Sequence, residues 1–208
     1  MLNKGDFIEI NFVGRLKEDG KIFDLTDEKV AKDENIYNKD FEYKPVIICL
    51  GFNDILKGLD GKLIGKEIGK YKIEISAENG FGKKKHDLIK LVPSSLFLKN
   101  NIKPVKGLQV DLDNIVGKII SVSGGRCIVD FNHPLSSKDL IYDVEVLRVV
   151  DDLKEKIESV LRLIDDKLEV EINEDNVEIK GVQKELQKFI EVKLKERIKE
   201  IKTIGFKI

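Results

Sequence analysis

Residues 44–76, KPVIICLGFNDILKGLDGKLIGKEIGKYKIEIS, carry the pattern that decides the fold. The apolar run from Pro45 to Leu50 predicts a buried strand that stops at Gly51. Asn53 reads as the cap of a short helix bearing Ile55, Leu56 and Leu59. Gly58, Gly61, Gly65 and Gly69 end that helix and supply turns that set it under the sheet. Residues 70–76 then alternate as a further strand.

Upstream, DFIEINFV (6–13) reads as a strand, Glu18-Asp19-Gly20 as a turn and 21–25 as the returning strand. Residues 26–43 form a polar connection with a short helix in DEKVAKDENIY. Downstream, strand patterns at 88–92, 108–112, 115–122 and 126–131 surround a short helix starting at Pro93. Asp113-Asn114 and Gly124-Gly125 supply the turns. This is a small β module inserted between two halves of the first domain, which resumes at 140–150. From Asp151 onward, Leu153, Ile157, Leu161 and Ile164 define a helix, followed by strands at 168–172 and 177–180 around a turn at 173–176. Val182, Leu186, Phe189, Ile190, Leu194 and Ile198 define a second helix, and Ile204, Phe206 and Ile208 a closing strand. An α-β-β-α-β unit of this size holds a marginal core alone, so it packs on a copy of itself or on the main body. The fold class is α+β.

Composition narrows the function. Hydrophobic residues make up 41% of the 208, enough for packed cores. No apolar run spans a bilayer and the N-terminus lacks a signal-peptide core, so a cytoplasmic location without membrane contact is expected. Cys49 and Cys127 stand far apart and read as buried apolar residues rather than a disulfide or zinc pair. Residues 83–130 hold nine Lys and Arg against four Asp, a net +5, which leaves −6 for the rest of a chain of net −1. That asymmetry reads as a solvated lysine face or as a contact for acidic clients, nucleic acid or the ribosome.

No catalytic triad, phosphate loop or metal motif is present. GRLKEDGKIFD (14–24), the stretch 44–76, GFG (80–82) and NHPLSSKDLIYDVEVLRV (132–149) follow one another in an order that resembles the FKBP family of peptidyl-prolyl cis/trans isomerases. The insertion between GFG and NHPL is similar to that of the SlyD-like and long archaeal branch.

The resemblance implies a curved antiparallel sheet around a short helix, with an apolar groove between them and no cofactor or metal. It divides the chain into an isomerase domain (1–83 with 131–150), an insert-in-flap domain (84–130) that binds unfolded polypeptide, and a C-terminal domain (151–208), here expected to form a homodimer. It assigns catalysis to Phe12, Phe23, Asp24, Phe81 and Tyr142, and substrate contact to Val46, Ile48, Ile55, Leu56, Leu59 and Leu140. Phe12 and Phe81 stand where the family usually has tyrosines, and Leu59 where many members have tryptophan. Two hydroxyl hydrogen bonds are thereby absent, which bears on macrolide inhibitors more than on isomerisation. In the insert, Leu88, Ile89, Leu96, Phe97, Leu98, Leu108 and Ile119 form an apolar surplus that suits client binding. Two other readings stay open: a chaperone with little isomerase activity, and an RNA- or ribosome-associated folding factor.

Overall fold

The computed structural model describes residues 1–112, 114–173 and 176–207. Asp113 of the first insert turn, Glu174 and Asp175 of the C-terminal turn and Ile208 of the closing strand lie outside the described residues. The chain forms two compact units, residues 1–75 with 139–208, and residues 76–138.

The first unit is built on strand β1 (Phe7–Leu16). Strand β9 (Leu140–Val149) runs antiparallel along one side of it. Strands β3 (Val46–Cys49) and β2 (Ile22–Leu25) share its other side, β3 against Phe7 to Ile10 and β2 against Val13 to Arg15. Strand β4 (Gly69–Ile75) completes the sheet beyond β9. Helix α1 (Glu28–Asp33) lies in the connection from β2 to β3, capped by the Asp27 side chain. Helix α2 (Lys57–Leu63) lies against β4, and Lys62 Nζ donates to the Glu74 carbonyl at 2.6 Å. It buries Leu59 and Leu63.

Helix α2 starts later than the sequence pattern indicates. Asn53 sits at φ +58° in a left-handed turn and does not cap it, because asparagine is one of the few residues that tolerates that conformation. Ile55 and Leu56 therefore precede the helix, and Gly58 and Gly61 fall inside it. Gly65 makes the expected turn at positive φ, whereas Gly69 opens β4.

Alternation along β1 explains how the C-terminal segment attaches. Ile8 and Ile10 face one side of the sheet while Phe7 faces the other, and all three are buried. Phe7, Cys49 and Val150 join Ile157, Val160, Leu161, Val170, Val177, Ile179, Ile190, Leu194 and Ile198 in one apolar cluster. These come largely from helices α4 (Leu153–Arg162) and α5 (Lys184–Arg197) and the three-stranded sheet of β10 (Glu169–Asn173), β11 (Asn176–Lys180) and β12 (Thr203–Lys207). Of the two expectations for residues 151–208, packing on the main body is therefore realised within this unit. The segment does not stand as a separate domain. Its core is completed by the outer face of β1 and β3, which is the burial that so short a unit lacks on its own.

The second unit is an antiparallel sheet in the order β5-β8-β7-β6. Its strands are β5 (Ile89–Pro93), β6 (Gln109–Leu112), β7 (Ile115–Ser123) and β8 (Arg126–Asp130), with helix α3 (Ser94–Lys99) after β5. Val92, Phe97, Val110, Ile119, Cys127 and Val129 form its core. The unit is wider than the insert delimited from sequence. The Gly82 carbonyl accepts from Ser137 N–H at 2.7 Å, and Ser137 Oγ accepts from Lys84 N–H at 2.8 Å. These bonds hold the two chain crossings side by side, so 76–83 and 131–138 belong with the insert. Among the described residues, no helix is long and apolar enough to cross a membrane. Both cysteines are free and buried.

Candidate functional site

Across the first sheet, Asp24 on β2, Gly14 on β1, Tyr142 on β9 and Ile73 on β4 stand opposite one another in one row. Phe12, Val144 and Tyr71 form the next row, on the same face because side chains alternate along each strand. The register between β1 and β2 slips after Gly14, from Gly14↔Asp24 to Arg15↔Ile22, which leaves Phe23 as the extra residue of a bulge. Its ring meets Tyr142 edge-on at 5.7 Å between centroids, and Phe12 meets Tyr142 from its own strand at 5.8 Å. Gly14 makes this possible. A Cβ at that position would lie 2.9 Å from Phe23 Cζ and 3.0 Å from Tyr142 Cε1.

Electrostatics mark the same place. Crowding by surrounding protein raises the Asp24 carboxyl above the usual carboxylate range, partly offset by a hydrogen bond from the Leu25 backbone. Asp24 keeps part of its surface open to solvent, so this burial is one-sided. Burial raises the Tyr142 hydroxyl well above its ordinary value, and the Asp24 charge adds to this. The hydroxyl therefore stays protonated at physiological pH.

Phe12, Phe23 and Tyr142 thus come together, with Asp24 at the edge. Phe12, Phe23, Val46, Ile55 and Leu56 are half-buried and keep a face open. Ile48, Leu59 and Leu140 are closed from solvent, as is Tyr142. Phe81 lies in the second unit, where its ring stacks on His133 at 4.3 Å with the planes 4° apart. His133 Nδ1 accepts from Leu135 N–H at 3.2 Å, so the histidine braces the turn it sits in. A pocket of about 360 Å³ is lined by Asn11, Lys70, Lys72, Asp143 and Glu145 together with Phe12, Tyr71 and Val144 of the second row.

The segment from Cys49 to Leu56 is held by two buried carboxylates that sequence reading missed. Asp60 accepts from Gly51 N–H at 2.8 Å and from Asn53 N–H at 2.9 Å. Asp54 accepts from Cys49 N–H at 2.9 Å. Burial, followed by the Asp54 charge, pushes the Cys49 thiol up to about 12. Gly14 was also missed, although a glycine inside a strand is itself a sign of close approach. For Asp54 and Asp60 the only signal was two acids within an otherwise apolar stretch.

Residues 90–135 match the family model described as the FKBP26 IF domain. The short-type peptidyl-prolyl cis-trans isomerase of Methanocaldococcus jannaschii is 32% identical over 147 residues, covering 70% of this chain and 92% of that protein. A probable FKBP-type 16 kDa isomerase of Pseudomonas fluorescens is 30% identical, over 52% of this chain and 75% of its own length. SlyD of Haemophilus influenzae is 30% identical, over 59% of this chain and 64% of its own.

Proposed function

The chain belongs to the FKBP-type family of peptidyl-prolyl cis/trans isomerases, and from that premise we propose that X-Pro bonds rotate against the wall formed by Phe12, Phe23 and Tyr142 while the inserted unit holds the client. The observation that carries this reading is the convergence of Phe12 and Phe23 on Tyr142, with Gly14 leaving room for Phe23 and Tyr142 and one carboxyl at their edge.

The chemistry requires no acid, base or cofactor. Rotation about a peptide bond meets a barrier of about 18–20 kcal/mol because the planar amide is resonance-stabilised. At the perpendicular twist that resonance is broken and the amide is less polar. An apolar wall therefore disfavours the planar ground state more than the twisted transition state. Each ~1.4 kcal/mol of that preference gives about a tenfold rate gain. Asp24 orients the bound peptide through its charge at an otherwise apolar edge.

Uncatalysed exchange takes about 10–100 s at 25 °C, so catalysis by the purified protein on a short X-Pro peptide is readily measured. Asp24→Asn is expected to slow that exchange without lowering stability at pH 7. A raised carboxyl pKa means that the folded state holds its proton more tightly than the unfolded chain does. The favourable contribution is complete below the unfolded pKa, is lost as pH rises through the folded value, and leaves a charge that opposes folding above it. Urea titration at pH 7 alongside the exchange assay is the check. A variant that loses stability yet keeps its rate contradicts the role given to Asp24.

Client holding is supported by what the second unit leaves outside its core. Phe97 and Ile119, counted in the sequence as surplus, are core residues, while Leu88, Ile89 and Leu108 are half-buried. Leu96 and Leu98 are exposed, as are Leu91, Ile115, Val116 and Val122.

Homodimer formation is proposed through the outer side of α5. With the inner face of the C-terminal segment already used, Leu186, Phe189 and Val192 remain exposed at a spacing of three. Phe189→Lys is expected to convert a dimer to a monomer by light scattering at micromolar concentration. A wild-type protein already monomeric there removes the proposal.

A further inference from the structure

Arg197 and Asp54 form an ion pair that the isomerase groove does not explain. Arg197 Nη2 lies 2.9 Å from Asp54 Oδ1, and the two side chains are 3% and 4% exposed. The guanidinium also covers the Phe52 ring at 4.6 Å, and Nη1 donates to the Lys193 carbonyl at 3.2 Å within α5. Its Nε is buried and, among the described residues, has no hydrogen-bond partner. Packing alone does not call for such a pair, since apolar residues of similar volume in place of buried ions are often neutral or stabilising. The ions supply direction.

The direction leads to the groove. The other Asp54 oxygen accepts from Cys49 N–H at the end of β3, so one carboxylate ties β3 to α5. Ile55 and Leu56 follow Asp54 immediately and precede α2, outside any strand or helix. Gly51 and Asn53 are fixed by Asp60, and the Leu56 carbonyl accepts from Leu59 and Asp60 N–H at the start of α2, so between these two anchors the side-chain tie is Asp54. We propose that Arg197 is a positioning residue for isomerisation: by clamping Asp54 it sets the placement of Ile55 and Leu56, so the C-terminal segment controls the geometry of the groove. This rests on the reading of Ile55 and Leu56 as groove residues.

The test uses the full-length protein, below the melting temperature of every variant. Arg197→Met is expected to lower kcat/KM for an X-Pro peptide by about tenfold or more, the scale at which small misplacements act. Arg197→Lys should recover part of the loss and serves if the methionine variant does not fold. Asp54→Asn with Arg197→Met together should be no worse than the poorer single variant, because both break one clamp. Val177→Ala removes packing from the same apolar cluster, on β11. It should lower the melting temperature while leaving kcat/KM within about twofold, a change too small for a misplaced group. Amide chemical shifts of Ile55 and Leu56 should move in the arginine variants and not in Val177→Ala. Unchanged kcat/KM in Arg197→Met, or an equal loss in Val177→Ala at matched stability, overturns the clamp. A wild-type protein without activity fails the groove reading instead, and the amide shifts still decide the clamp.

Discussion

Gly14→Val is expected to lower kcat/KM for X-Pro exchange by roughly 100-fold, the effect of moving reactive surfaces by about an ångström, with the fold intact. Any Cβ at this position meets Phe23 at 2.9 Å, closer than real Cβ contacts come, and Tyr142 at 3.0 Å, so one of the rings must give way. Tyr142 is buried and has little freedom to retreat. Phe23, on a bulged edge strand and half-buried, is the ring that swings away. The wall then loses one of its three rings. The backbone itself accepts the change, since Gly14 is outside the positive-φ region and valine suits a strand. Exchange measured by NMR, together with thermal melting, separates the two effects. Full activity in the valine variant would mean that the ring cluster is not where the bond turns.

Excising the insert should divide two activities. Joining Lys83 to Phe131 through a short glycine linker keeps the neck bond between Gly82 and Ser137, although Lys84 and its ion pair with Asp130 are lost. Isomerisation of a free X-Pro tetrapeptide is expected to persist, because that substrate needs only the groove. Catalysis of refolding of a whole protein limited by proline isomerisation should fall by about 100-fold, the scale of gain that tethering gives without any new catalytic contact. Suppression of client aggregation should disappear with it. The exposed residues Leu91, Leu96, Leu98, Ile115 and Val116 are the surface removed. If the excised protein matches the intact one in refolding and in aggregation, the insert is not the client-holding part.

Strand periodicity made the sheet legible, while the candidate site residues came from the family resemblance. Alternation along 6–13 and 140–150 placed Phe12 and Tyr142 on strands, and the ordered motifs brought in Phe23 and Asp24. Burial was less legible. Ile48, Leu59 and Leu140 look in sequence like Ile55 and Leu56, yet the first three are sealed. An apolar pattern is the same whether its residue ends sealed or at an open edge, and only the packed fold distinguishes them.

Taken by itself, the sequence determined most elements and their order through local periodicity and turn chemistry, and the ordered motifs added the α+β class and the insert. The tertiary structure alone decided that residues 151–208 complete their core on the outer face of β1 and β3, and that Gly14 lets two rings close over it. It alone joined Arg197 to Asp54 across 143 residues of chain. Such contacts depend on how finished elements pack, and no spacing along the chain encodes which distant charge will be buried beside another.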